Sequence, residues 1–583
     1  MKKTGKKSIQ VRIIIIGIFF GLLHSVIIAR AVQLHVFKGS WLSEKAENQY
    51  KRSFTATGKR GTIFDAKHRE MAVSIDVMSI AGFPESIRDP DKTAKTLGSI
   101  LGIKHRDLKR KLASKRSFVW VKRYATPREV ELIKTANLEG ISFLPEHSRV
   151  YPNRSLGSQI LGFSGIDGQG LEGLEFYYNQ YLKGATAIQT VIQDALGRRF
   201  LEEKKVFAEY NGNNLILTID KAIQYITESS LDEAVQKFSG KSGIAVVMEP
   251  ATGAILALAH YPRFNPNTYQ DFNRSRWRNR AITDPFEPGS TMKIFLATAA
   301  LESGFCTPSS IFYCEDGRYR VGRNYIHDTH RYGWLSLQQI VKVSSNIGTV
   351  KIAERIGKEH LYNTLKNFGF GERTGIDCPG ETTGTLTPQS RWSKIDFGAI
   401  SFGQGISVSA IQLITAVSAI ANDGILMKPY IVQAITDGNG RLVENFRPQK
   451  VRSVISHETA GTMKKIMQTV TTEGGTGVAA ALDGYTVCGK TGTAQKVHKN
   501  GGYAEHNYVA SFIGFAPAED PRVAVLVVID EPQEEHYGGI VAAPPFKRIT
   551  YETLSYLNVP PRRDKAIEHS EKLTVSRQKG VKG

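Results

Sequence analysis

A long apolar run, interrupted chiefly at His24, extends from 13 to 29 behind a leader carrying Lys2, Lys3, Lys6, Lys7 and Arg12. With 31–36 as a partly interfacial extension, it reaches the ~20 helical residues that cross a bilayer's hydrocarbon core. Because the basic residues precede it, the N-terminus is expected to stay in the cytoplasm and the rest of the chain to lie outside. Ala29-Arg30-Ala31 imitates a signal-peptidase site, but the apolar stretch is long for a cleaved signal. No second apolar run of membrane length follows.

From 37 to about 210 the pattern is irregular, with short strand-like pieces at 60–65 and 118–121. A turn cluster, Asn211-Gly212-Asn213-Asn214, precedes the alternating run 215–220 and a helical period through Val235. Beyond it, apolar stretches at 244–248 and 254–258 flank a Pro250–Gly253 turn and predict a hairpin. Strand patterns return at 508–515 and 523–529, and helical periods occupy 294–302, 335–343, 347–356 and 409–422. Strands at both ends with helices between them predict an α+β domain on one antiparallel sheet. The boundaries read as a cytoplasmic basic tail 1–12, a transmembrane anchor 13–36, a head 37–212, a second domain 213–557 and an unpacked tail 558–583.

Composition narrows the class. A chain of 583 residues, 41% hydrophobic and 22% charged, is globular and too long for one ordinary domain. Its net charge of +21 invites a nucleic-acid reading, but the surplus sits in the leader, the tail from Arg562 and the stretch 104–128. In that stretch apolar positions separate the charges, as on the solvated face of helices. The four cysteines form no C-x-x-C pair, which argues against a zinc or redox site. Cys306 and Cys314 are near enough in sequence to pair in an oxidising compartment, and sequence leaves their geometry open.

Three short motifs carry chemistry. Glu287-Pro288-Gly289-Ser290-Thr291-Met292-Lys293 breaks the preceding structure and opens an apolar helix. Ser290 then stands at a helix N-terminus with Lys293 one turn on, bringing an amine towards a hydroxyl it could deprotonate. Ser344-Ser345-Asn346 links two helical periods, so a hydroxyl and an amide can share one cleft. Lys490-Thr491-Gly492-Thr493 reads as a strand in which a Gly permits close approach of a substrate backbone. Each motif alone is commonplace. Ser290 could be a plain N-cap, and Ser576-Arg577-Gln578-Lys579 repeats the first spacing in the tail. Their order within one extracytoplasmic domain is the signal, since Ser-x-x-Lys, Ser-x-Asn and Lys-Thr-Gly occur together in penicillin-binding proteins and class A β-lactamases.

The sequence thus resembles the class B penicillin-binding proteins, and within them the FtsI-like division branch. Further matching segments are Arg60-Gly61-Thr62-Ile63-Phe64-Asp65, Arg149-Val150-Tyr151-Pro152, Gly170-Leu171-Glu172-Gly173-Leu174-Glu175, Asn279-Arg280-Ala281, Gly403-Gln404-Gly405 and the run from Tyr537 to Pro544. The resemblance implies an α+β fold: a single N-terminal transmembrane helix, a β-rich, elongated head (dimerisation or pedestal-like) domain, and a transpeptidase domain with a central antiparallel sheet flanked by helices. It also implies a peptidoglycan D,D-transpeptidase of septal wall synthesis, bound to the cytoplasmic membrane by a single pass with its catalytic domain periplasmic.

In this resemblance Ser290 is the nucleophile, Lys293 its base and Ser344 the proton relay. Asn346 holds the donor amide, and Lys490, Thr491, Gly492 and Thr493 form the strand that binds the terminal carboxylate. The backbone N–H groups of Ser290 and Thr493 would form the oxyanion hole. The substrate would be a stem pentapeptide ending in D-Ala-D-Ala, with β-lactams acylating the same serine. No metal or organic cofactor is implied. The partners implied are an FtsW-like polymerase and other division membrane proteins. Alternatives are an elongation-type sibling and a penicillin-sensing receptor. Against the receptor stand the single span and the lack of a zinc-protease His after His457-Glu458.

Overall fold

The computed structural model describes residues 4–193, 199–201, 210–497 and 502–562. The decoy Ser576-x-x-Lys579 and most of the expected tail lie outside them. The described residues divide into two compact units, one lying within 4–59 and 184–211, the other within 60–183 and 212–562.

In the first unit, helix α1 (Thr4–Val32) continues into a short π-helical turn, Gln33–Phe37. The stretch 7–37 is long and apolar enough to cross a membrane: its 31 residues span about 46 Å at ~1.5 Å each. The same unit holds the antiparallel pairing of Lys51–Thr57 with Thr186–Gln193.

Among the described residues the second unit contains three two-stranded sheets and two large ones. One begins with β1 (Ile63–Phe64) and β2 (Glu70–Gly82), the latter paired with both β3 (Val119–Ala125) and β4 (Ile141–Val150). Next to β1, in parallel, lies β5 (Asn214–Leu217), the strand that follows the turn at 211–214. The first part of the basic stretch forms helix His105–Leu112, which buries Leu108 and Leu112 and leaves its charges outward, whereas Lys122 and Arg123 fall on strand β3 and pair with Glu129 and Glu146.

After helix α2 (Lys221–Lys237) come β6 (Ser242–Met248) and β7 (Ile255–Tyr261), the hairpin anticipated from sequence. Helix α3 (Lys293–Glu302) follows, then α4 (Leu337–Val343), α5 (Asn346–Asn367) and α6 (Ala410–Ala421). Strand β8 (Val432–Thr436) joins the first sheet beside β5. Strands β9 (Cys488–Val497), β10 (Tyr503–Ala516) and β11 (Val523–Asp530) complete the second sheet, and helix α7 (Ala543–Tyr556) closes the domain.

This second sheet is wholly antiparallel, in the order β7-β6-β11-β10-β9. All seven residues of β6 are buried because both faces of the sheet are covered. Alternate strand residues pack with α2 and α7 in one core cluster and with α3, α5 and α6 in the other. Helix α6 is predominantly apolar and buries all twelve residues, as expected of a core helix. Its Ser409/Gln412 capping box satisfies the first backbone donors there. The consequence for function is that β9 lies at an open sheet edge, beside the start of α3 and the α4–α5 corner.

All four cysteines are buried and free, so Cys306 and Cys314 are not bridged. Residues 558–562 pack on the domain: Tyr485 donates to Val559 O at 2.7 Å, and Arg562 N–H to Gly484 O at 2.7 Å.

Candidate active site

Ser290 sits in a single 3-10 turn, Gly289–Met292, that runs directly into α3. Pro288 and Gly289 make the turn, with Gly289 at φ +55°, where a side chain is strained. Gly289 N–H donates to Gly403 O at 3.1 Å, and Thr291 Oγ1 to Pro288 O at 2.8 Å. Lys293, 1% exposed, follows on the same face of the helix.

The Ser-x-Asn motif is the corner between two helices. Ser344 ends α4 in the left-handed region at φ +61°, and Asn346 begins α5. The corner is built around a residue that the motifs did not single out, Asp328. Its carboxylate accepts from Ser345 Oγ at 2.6 Å, from Ile347 N at 3.1 Å and from Asn346 N. It thereby caps α5, where unpaired N–H groups favour an anion. No spacing rule would have found a lone Asp in the polar stretch before Trp334.

Strand β9 brings the Lys-Thr-Gly motif. Gly492 is needed because a Cβ there would come within 2.2 Å of Ser511 Oγ and 3.1 Å of Pro288 O. The turn that carries Ser290 can therefore lie directly against the strand. From the other side, a Cβ on Gly538 would meet Ser511 O at 2.2 Å and Gly492 O at 2.4 Å. Gly538 N–H donates to Thr493 Oγ1 at 3.1 Å.

The polar groups converge. Lys293 Nζ donates to Ser344 O at 2.5 Å, Ser344 Oγ at 3.1 Å and Asn346 Oδ1 at 2.7 Å. Lys490 Nζ donates to Ser344 Oγ at 2.9 Å and to Thr491 O at 3.2 Å. Asn346 Nδ2 is held by His327 O at 3.0 Å. Among the described residues no hydrogen bond joins Ser290 Oγ to Lys293, whose three ammonium protons are all engaged; catalytic bonds often tighten only on substrate binding.

Burial pushes the Lys293 amine down to about 7, opposed by the Asp328 carboxylate. Burial and then the charge of Lys293 push Lys490 well below its ordinary value. A lysine near neutrality can act as a base, which an exposed one cannot.

Ser290, Ser344, Asn346, Thr491 and Thr493 open onto one cleft of about 1590 Å³, larger than the ~300–1,000 Å³ of a typical small-molecule pocket. Lys293 and Lys490 lie beneath its floor.

The motifs at 60–65, 149–152 and 170–175 assemble elsewhere in the same unit, whereas Gln404, Gly405 and residues 537–540 line the cleft. Arg60, Arg149 and Tyr151 all reach the fully buried Glu175, with Arg149 Nε at 2.6 Å and Tyr151 OH at 3.2 Å. Burial raises the Glu175 carboxyl, but Arg149 and Arg60 outweigh it and hold the group below its usual range. This is a buried structural cluster and reaches no cleft residue.

The penicillin binding protein transpeptidase domain matches residues 243–551, and the penicillin-binding protein dimerisation domain matches 55–217. The chain is 36% identical over 559 residues to a probable peptidoglycan D,D-transpeptidase PenA of Neisseria meningitidis, covering 95% of this chain and 94% of that one. It is 35% identical to stage V sporulation protein D of Bacillus subtilis (96% and 88% covered) and 32% identical to the peptidoglycan D,D-transpeptidase FtsI of Escherichia coli (92% and 90%). Penicillin binding protein 3 of Mycobacterium tuberculosis, solved with aztreonam, superposes with a TM-score of 0.68 at 27% identity, covering 88% of this chain and 98% of that one. The chain belongs to the class B penicillin-binding proteins, serine peptidoglycan D,D-transpeptidases that act on wall peptides and bind β-lactams.

Proposed function

We propose that Ser290 is the nucleophile of this transpeptidase and that the chain serves septal wall synthesis. The observation that carries the site reading is the convergence of Lys293 and Lys490 on Ser344 under the cleft onto which Ser290 opens. In the reaction, neutral Lys293 gives up one of its bonds and takes the Ser290 hydroxyl proton. The Ser290 oxygen then attacks the penultimate D-Ala carbonyl. Backbone N–H groups of Ser290 and Thr493 hold the oxyanion, usually the largest electrostatic contribution. The C–N bond breaks, and the Lys293 proton reaches the departing D-Ala amine through Ser344. An amine of a second stem attacks the resulting ester, releases Ser290 and returns its proton.

Thr491 and Thr493 face the terminal carboxylate, while Lys490 supports them from beneath. Asn346 keeps a free Nδ2 hydrogen for the donor peptide. Gly492 keeps the strand against the nucleophile turn. The open edge of β9 suits an extended peptide added as a further strand. The cleft's volume suits two stems at once, which favours transpeptidation over simple hydrolysis.

The leader's charge supports a cytoplasmic N-terminus and a periplasmic catalytic domain. The septal assignment leans on the run from Tyr537 to Pro544 and on the likeness to FtsI. An FtsW-like polymerase and other division membrane proteins would be its partners. A sporulation role is the second reading, favoured by 35% identity to stage V sporulation protein D.

The test is fluorescent-penicillin labelling of the full chain in detergent. Wild type should be labelled covalently and Ser290→Ala not at all; undiminished labelling of the variant sinks the nucleophile assignment. Depletion in cells should give long undivided filaments. Round swollen cells would mean an elongation role, and loss of spores alone a sporulation role.

A further inference from the structure

We infer that Glu287 is a positioning residue that clamps the Gly403-Gln404-Gly405 turn against the nucleophile segment, and so sets the wall of the cleft beside Ser290; this rests on the reading of Ser290 as nucleophile. Glu287 Oε1 accepts the Gly405 N–H at 2.9 Å. The Tyr503 hydroxyl of β10 stands 3.5 Å from the same oxygen. Glu287 Oε2 is buried without a hydrogen-bond partner among the described residues. One oxygen thus carries the contacts, and the other is held in place by packing alone.

The turn it holds is tightly seated. Gly403 lies at φ +87°, and a Cβ there would come within 2.0 Å of Gly289 O. Gly289 N–H returns the contact by donating to Gly403 O at 3.1 Å. The turn is therefore pinned on both sides of Pro288, directly before Ser290. Gly289, Gln404, Gly405 and Tyr503 all line the cleft. A turn free to lift by ~1 Å would misplace Ser290, because small displacements from the reacting geometry cost large factors in rate.

Glu287 acts by reach and not by charge. Its carboxyl is raised by burial, with Gly405 N–H and Tyr503 acting in the opposite sense. Burial without a cationic partner is not how a binding charge is held. Gln has the same reach and keeps the acceptor oxygen; Asp keeps the charge but is one methylene short.

The experiment measures penicillin acylation of the full chain by stopped flow, with the acylation rate constant resolved separately from the noncovalent binding step. Melting temperatures are read alongside, with Ser290→Ala as the unlabelled control. Glu287→Gln should retain the rate constant within about threefold. Glu287→Asp should lose at least about tenfold in the rate constant, with binding and melting temperature little changed. The inverse pattern, with Asp active and Gln impaired, overturns the clamp in favour of a charge role. Two variants that both behave as wild type overturn it outright. Failure of the Ser290→Ala control would fall on the nucleophile assignment instead.

Discussion

Lys293 and Lys490 donate to one hydroxyl, Ser344 Oγ, from 3.1 and 2.9 Å. Both amines are buried, and each would otherwise carry a positive charge. An oxygen with two lone pairs can accept both, which leaves its own hydrogen free to donate. Two ammonium groups this close and this dry oppose each other's protonation, so the pair tends to hold fewer than two charges at neutral pH. In the proposed mechanism that shared acceptor links a base, Lys293, to a proton path.

The first prediction is a pH dependence. Lys293 works as base only when neutral, and its pKa lies at about 7. Acylation by penicillin should therefore rise as pH increases through about 7 and level off above it, since the amine is protonated below and free above. Lys293→Ala should fold but acylate by about 10²–10⁴-fold less. A flat profile between acid and alkaline pH, or near-normal acylation of the variant, removes Lys293 from the mechanism.

Asp328 supplies a second test. Its carboxylate fixes Ser345, Asn346 and Ile347 and so the corner that carries Ser344. Asp328→Ala should lower acylation by about tenfold or more, because each lost charge-assisted bond is worth ~1.5–3 kcal/mol. Asp328→Asn should keep part of the rate, since one acceptor oxygen remains. Equal rates in wild type and both variants would show that the corner holds itself.

Gly538 tests close packing behind β9. A single methyl at this position has nowhere to go without moving Ser511 O or Gly492 O. Gly538→Ala should fold, since the strain is confined to the Gly492/Ser511 pair of β9 and β10, but shift β9 and reduce penicillin acylation by about an order of magnitude. Unchanged kinetics would mean that the strand tolerates the shift.

His260 gives a stability prediction. It is buried, receives Ala281 N–H at 3.4 Å on Nε2, and its pKa is pushed down to about 3, first by burial and then by Arg280. The folded state therefore resists a proton that the unfolded chain accepts at about 6.5. Its contribution is complete above about pH 6.5 and is lost as pH falls towards 3, amounting to about 2 kcal/mol by about pH 5. Chemical denaturation of wild type and His260→Gln across this range should show a shallower acid loss in the variant. Identical slopes would exclude His260 as a source of acid sensitivity.

The buried head cluster should be intolerant of neutralisation. Glu175→Gln leaves Arg60 and Arg149 without their shared carboxylate and should destabilise the protein by about 3–5 kcal/mol, read by thermal unfolding. A loss below about 1 kcal/mol would mean that the arginines find other acceptors.

What was legible in the sequence follows from what is local. The run 13–29 specifies an apolar helix because every residue faces one solvent. Helix α6 and strands β6 and β11 were legible because full burial demands continuous apolar stretches. Pro288 and Gly289 marked the start of α3 because they cannot continue what precedes them. The period read to 356 ends where the first helical segment of α5 ends, because Gly357 at φ +79° and ψ 158° is non-helical and a second segment runs on from it to Asn367. The three motifs supplied the polar side chains at the right places along the chain.

Sequence by itself determined the helix, strand and turn preferences and the identity of the groups able to do chemistry, since these depend on neighbours a few residues apart. Only the tertiary structure decided that Lys293, Ser344 and Lys490 share contacts, that Asp328 caps the Ser-x-Asn corner, and that Glu287 reaches Gly405 across 118 residues. Those relationships depend on burial and on close approach through Gly289, Gly403, Gly492 and Gly538. The lysine pKa values follow from the same enclosure. A side chain's chemistry is written in its own atoms, but its protonation and aim are set by atoms that only folding brings within reach.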